Sequence, residues 1–138
     1  MEYTHAGTGI IRYDPYRGSM KGRTQWWCVV EVDREITRYY RWWLQREKHI
    51  LLQQPAWDAH ISIIRGEAVC ARKPELWKKY DGKRVNFLYE HGNYRCEADP
   101  KGGHFYWVDV HCPELSNIRK EFGLPTGWRF HITFGRTY

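Results

Sequence analysis

Two six-residue segments of this chain match one another: His60-Ile61-Ser62-Ile63-Ile64-Arg65 and His131-Ile132-Thr133-Phe134-Gly135-Arg136. Each places a hydroxyl two positions after a histidine and an arginine five positions after it. Two imidazoles with hydroxyl helpers form a complete acid/base set. Cleaving a phosphodiester without a metal needs one group to take a proton from the nucleophile and another to protonate the leaving oxygen. It also needs neutral or cationic donors to hold the phosphate between them. Seven histidines and ten serines plus threonines give about 0.5 His-x-Ser/Thr matches by chance. Arginine supplies 14 of the 22 basic residues, so its presence at the same offset in both copies is a coincidence at roughly the one per cent level.

Strands must position these groups. A histidine and a hydroxyl two apart on a strand point to the same face about 6.6 Å apart and can flank one phosphate. Arg65 and Arg136 have the opposite parity, so on unbroken strands they would reach a ligand only beyond the strand ends, next to Gly66 and Gly135.

Residues 1–24 combine glycines, a proline and alternating Arg and Tyr, and read as an extended arm with turns. Residues 25–32, dense in Trp and β-branched residues, read as a buried strand that ends at Asp33, a good helix N-cap. Ile36, Tyr39, Tyr40, Trp43, Leu44, Ile50 and Leu51 then mark one face of an amphipathic helix ending before Pro55. Arg34, Arg38, Arg41, Arg46 and Lys48 fall elsewhere and read as a solvated face, with contact to nucleic acid the less favoured alternative. The first motif follows on a strand over 58–65. A short helix over 74–80, a hairpin of strands 83–90 and 93–98 around His91-Gly92, a strand over 104–111, a helix over 113–122 and the second motif strand over 128–134 complete the chain. The order strand, helix, motif strand thus occurs twice. A duplication would give two lobes related by a pseudo-twofold axis, with the motif strands side by side at a central cleft.

The length, 138 residues, suits one domain. A net charge of +6 and a pI near 9.2 suit an anionic partner. Cys28, Cys70, Cys96 and Cys112 show no Cys-x-x-Cys spacing, and no amino-terminal stretch resembles a leader, which reads as reduced thiols in cytoplasm. The short apolar runs and mean hydropathy of −0.75 predict no membrane span. His104 and His111, seven apart, fall on opposite strand faces, so no zinc site is expected.

The paired His60-Ile61-Ser62 and His131-Ile132-Thr133 resemble the His-x-Ser/Thr motifs of the 2H phosphoesterase superfamily, over roughly residues 25–138. The resemblance implies a single bilobal α+β domain, antiparallel sheets around a central cleft with helices outside and an internal pseudo-twofold repeat. The strings 60–67, 76–83 and 112–119 are further similar to the tailed-phage branch whose anti-CBASS proteins degrade cyclic oligonucleotide signals of bacterial immunity. Those enzymes carry a longer closing segment after the second motif. Here Tyr138 lies seven residues past His131, so a lid is expected from the arm, another loop or a second subunit.

The resemblance implies metal-independent cleavage of 3′–5′ bonds in cyclic di- or oligonucleotides, with no cofactor. One of His60 and His131 serves as base and the other as acid, while Ser62 and Thr133 donate to the phosphate oxygens. Arg65 and Arg136 are the candidate substrate cations. Tyr13, Tyr16, Trp77 and Trp107 are the candidate base-stacking aromatics. The expected partners are a cyclic di- or oligonucleotide or a short RNA, not a membrane or duplex DNA. Two alternatives stand beside this: an RNA phosphodiesterase acting on 2′,3′-cyclic or 2′–5′ linkages, and a nucleotide-binding sponge without turnover.

Overall fold

Residues 5–13, expected in an extended arm with turns, form a strand inside the sheet. The computed structural model describes residues 5–15, 25–90, 93–127 and 129–138. Its elements are β1 (His5–Tyr13), β2 (Trp27–Val32), α1 (Arg34–Lys48), β3 (His60–Arg65), a 3-10 turn (Ala68–Arg72), β4 (Arg84–Tyr89), β5 (Arg95–Ala98), β6 (His104–His111), α2 (Pro113–Glu121) and β7 (His131–Arg136). β1 lies antiparallel between β2 and β4. Its glycines, which suggested turns, permit close packing instead. A Cβ on Gly9 would lie 2.4 Å from Val30 Cγ1 and 2.6 Å from the Glu31 carbonyl oxygen, so only glycine lets the strands approach this closely. Ile11 and Tyr13 on the same strand are buried in the core.

The first helix begins as expected, with the Asp33 carboxylate accepting from the Glu35 N–H at 2.9 Å. It stops at Lys48, where His49 enters the left-handed region at φ 58°. The expected helix over 74–80 is a run of turns, because Lys78 at φ 69° breaks the helical backbone. The expected hairpin of β4 and β5 does not form either. Both strands pair with β6, one at each end, and the proposed turn at His91-Gly92 lies outside the described residues.

The sheet order is β4-β1-β2-β3-β7-β6-β5, and the β4–β6 pairing closes six of these strands into a barrel. The α+β class and antiparallel pairing match expectation, but the separate sheets of two lobes are one continuous sheet. Each helix crosses to the other half, α1 packing on β7 and α2 on β3. Tyr40 of α1 stacks on Phe134 at 5.1 Å between ring centroids. Leu44, Leu115, Ile118, Ile61, Ile63 and Ile132 fill the shared core, and each such side chain contributes about 1.5–3 kcal/mol by leaving water. Among the described residues no helix is long and apolar enough to cross a membrane.

Gly9→Val should overpack the β1–β2 contact at a cost of about 1–3 kcal/mol or more. Gly127→Ala, where an added Cβ meets nothing within 4 Å, should stay within about 0.5 kcal/mol of the parent. Thermal or urea unfolding of the two variants checks this, and equal stabilities would refute the close-approach account.

Candidate active site

The two motif strands pair with each other, antiparallel, with Ile61 opposite Ile132. That register sets His60 across from Thr133 and Ser62 across from His131. The four groups form a square on one face of the sheet, histidines on one diagonal and hydroxyls on the other. Neighbours across such a strand pair have Cβ atoms about 4.5–5.5 Å apart and diagonal partners about 7–8 Å, a span that brackets a single phosphate. All four residues line one cleft of about 790 Å³.

Arg65 and Arg136 line the same cleft, contrary to the parity argument. Each motif strand contains a bulge. As β2 advances one residue from Val29 to Cys28, β3 advances two, from Ser62 to Ile64, leaving Ile63 as the extra residue. As β6 advances from Trp107 to Tyr106, β7 advances from Thr133 to Gly135, leaving Phe134 as the extra residue. One inserted residue reverses the alternation beyond it, so His, hydroxyl and Arg share a face. The partners agree: Glu31, Val29 and Trp27 oppose His60, Ser62 and Arg65, while Asp109, Trp107 and Phe105 oppose His131, Thr133 and Arg136.

A bulge takes its carbonyl out of the ladder, and an arginine accepts the task of satisfying each one. Arg119 of α2 donates from Nη1 to the Ile63 carbonyl at 2.9 Å, and Arg41 of α1 donates from Nη1 to the Phe134 carbonyl at 2.8 Å. Arg119 is 1% exposed and also binds both Glu67 carboxylate oxygens, at 2.8 and 3.1 Å, and the Pro125 carbonyl at 2.7 Å. Burial pushes the Glu67 carboxyl up, but hydrogen bonds from the Arg119 side chain and the Arg65 N–H, with the charges of both arginines, outweigh it and hold the group below its usual range.

The histidines are oriented alike. His60 Nδ1 lies 2.6 Å from the Asp58 carbonyl, and His131 Nδ1 lies 3.4 Å from the Arg129 carbonyl, each two residues upstream. A carbonyl only accepts, so Nδ1 carries the hydrogen and Nε2 is the nitrogen left for proton transfer. Each ring also meets a tryptophan. Trp57 stacks on His60 at 4.0 Å and 22°, and Trp107 tilts against His131 at 5.7 Å. Burial, and beyond it the charge of Arg65, push the His131 imidazole below its ordinary pKa, while its contact with the Arg129 backbone and the charge of Asp109 partly oppose them.

A family model for the Swiss Army Knife 2H phosphoesterase domain matches residues 29–138. The chain belongs to this family. It is therefore a phosphodiesterase, a hydrolase whose two motif strands, and all of the cleft lining but Trp27, lie within the matched residues. No curated protein and no solved structure gives a match. The match begins at Val29, so β1 of this phosphoesterase lies outside it.

Of the described aromatics expected to stack on bases, Tyr13, Trp77 and Trp107, only Trp107 lines the cleft of the phosphoesterase. Tyr13 is buried, 4% exposed, with its ring against Trp77 at 4.9 Å. Trp77 packs edge-on against Trp26 and Phe122 and donates its indole N–H to Asp14 at 2.9 Å, so both rings serve the core rather than a ligand. Tyr16 lies outside the described residues. The cleft instead presents Trp27, Trp57 and Phe105, which the sequence reading did not single out.

The charged groups Asp109, Arg95 and Arg129 of the cleft were also missed. Asp109, buried in the cleft wall, accepts from Arg95 Nε at 2.7 Å and lies 3.7 Å from Arg129 Nη1. The alternation Phe105, Trp107, Asp109 along β6 was the available signal, since it marks one strand face. Trp57, in the loop before β3, carries no periodic signal. Among the described residues Arg136 Nε and Asp109 Oδ1 are buried without hydrogen-bond partners, a donor and an acceptor in the cleft wall.

The imidazole of His131 should titrate below the ordinary histidine value of about 6.5. Arg65→Gln removes a depressing charge and should move its midpoint up, whereas Asp109→Asn removes a supporting one and should move it further down. Imidazole proton NMR against pH reads both, and an Arg65→Gln midpoint equal to the parent's would show that Arg65 does not share the face of His131.

Proposed function

We propose that this phosphoesterase cleaves 3′–5′ phosphodiester bonds of cyclic di- or oligonucleotide signals by acid/base catalysis between His60 and His131, without a metal. The observation that carries the reading is the square of two imidazoles and two hydroxyls on the paired motif strands. His131, held neutral at neutral pH by its depressed pKa, takes the proton from the attacking 2′-hydroxyl or water. His60 delivers a proton from Nε2 to the leaving 5′-oxygen. Its ring lies against the negative π face of Trp57, a surface that attracts a cation. Ser62 and Thr133 donate to the non-bridging oxygens, and Arg65 and Arg136 neutralise the phosphate. Trp27, Trp57, Phe105 and Trp107 offer faces for the bases on either side of the scissile bond.

Attack by the 2′-hydroxyl forms the O2′–P bond, breaks the P–O5′ bond and leaves a 2′,3′-cyclic phosphate beside a free 5′-hydroxyl. Attack by water leaves a linear phosphomonoester. The choice of an immune signal as substrate, and with it a role against CBASS-type defence in the cytoplasm of a bacterial host, rests on the similarity of strings 60–67, 76–83 and 112–119 to the tailed-phage branch. The matching bulges, arginine caps and histidine contacts of the two halves support a pseudo-twofold repeat.

The test is incubation with EDTA and a panel of 3′–5′ cyclic di- and trinucleotides, 2′–5′ oligoadenylate and nucleoside 2′,3′-cyclic phosphates, read by mass spectrometry. Cyclic substrates should be linearised, and His60→Ala or His131→Ala should each slow this by about 10²–10⁴-fold. Turnover of the 2′–5′ or 2′,3′-cyclic substrates alone would move the enzyme to RNA processing. Binding without turnover would make it a sponge.

A further inference from the structure

We propose that the cavity beneath helix α1 is a subsite for a second phosphate, one link along the strand from the phosphate that is cleaved. This rests on the phosphodiesterase reading above and narrows its substrate to molecules with at least two neighbouring phosphates.

A separate cavity of about 230 Å³ opens beside the main cleft, walled by Arg34, Arg38 and Arg41 of α1 and by Asp58. It shares Pro55, Trp57 and Thr133 with the main cleft, so the two meet at one hydroxyl of the catalytic square and at the ring that stacks on His60. The helix face that the sequence reading left to solvent therefore lines a cavity next to the chemistry.

Three guanidiniums face a single carboxylate there. Arg34 holds Asp58 at 3.3 Å, and Arg38 holds Glu35 at 2.7 Å, both pairs well exposed. Exposed pairs of this kind contribute little and exchange readily for a better acceptor. Arg41 is different: its hydrogen bond goes to the Phe134 carbonyl, which leaves its full positive charge without a carboxylate in that bond. Burial, and after it the adjacent Arg38, push the Arg41 guanidinium below the usual arginine range, which marks a cation that gains from an anion beside it. A phosphate has the geometry and charge to satisfy two such forks at once.

Spacing gives the subsite its selectivity. A nucleoside 2′,3′-cyclic phosphate carries one phosphate and leaves this cavity unfilled. A cyclic dinucleotide or an oligonucleotide carries the next phosphate on the same backbone that crosses Thr133.

The test is equilibrium binding to the full chain of a deoxydinucleoside monophosphate, which lacks the 2′-hydroxyl, against the same molecule with an added 5′- or 3′-phosphate. One of the two phosphorylated forms should bind about tenfold tighter than the parent dinucleotide. That advantage should shrink to near unity in the Arg34→Gln/Arg38→Gln double variant, with the fold monitored by circular dichroism. Equal affinity for all three molecules, or an advantage that survives in the double variant, would overturn the subsite. Turnover of the cyclic and 2′–5′ or 2′,3′-cyclic substrates named above is scored separately. If none is cleaved while the phosphate advantage holds, the phosphodiesterase reading fails and the subsite stands.

Discussion

A strand shows every second side chain to one face, yet each motif here needs residues at offsets of two and five on the same face. Regular pleating cannot provide that, and the extra residue at Ile63 and at Phe134 does. The bulge leaves a carbonyl outside the ladder, and a buried unsatisfied carbonyl costs about 1–3 kcal/mol. Arg119 and Arg41 remove that cost. Because each reaches from a helix in one half to the bulge in the other, the contacts that shape the site also bind the halves together. Arg119, fully buried and paired with the half-buried Glu67, makes its side of this arrangement part of the core.

The two halves present the same groups in different surroundings. The carboxylate opposite His131 is Asp109, buried in the cleft wall, whereas the one opposite His60 is Glu31, exposed and paired with Arg12 at 3.0 Å. His131 is desolvated and its contact with the upstream carbonyl is long, while His60 holds its carbonyl at 2.6 Å and lies flat on Trp57. Acid/base catalysis needs one imidazole that takes a proton and one that gives it, and the surroundings of the two motifs differ although their sequences match. The difference comes from the neighbouring strands and loops.

The histidines, their hydroxyls, the flanking helices and the order strand, helix, motif strand were legible because they depend on local spacing. The bulges were not, since Ile63 and Phe134 are ordinary apolar residues whose displacement exists only relative to a partner strand. Reading the alternation strictly therefore let Arg65 and Arg136 reach a ligand only beyond the strand ends. Glycine misled in β1 for a related reason: Gly9 serves a contact with Val30, more than twenty residues away in sequence, and nothing local distinguishes that from a turn. Trp77 and Tyr13 illustrate the ambiguity of aromatics, whose large faces serve a core as well as a ligand.

The most direct measurement is a crystal structure with uridine vanadate, a mimic of the five-coordinate phosphorus of the transition state. The account predicts vanadium between His60 and His131, each Nε2 within hydrogen-bond distance of an apical oxygen, with Ser62 and Thr133 on the equatorial oxygens. Vanadate bound to one histidine alone, or away from both motif strands, would contradict it.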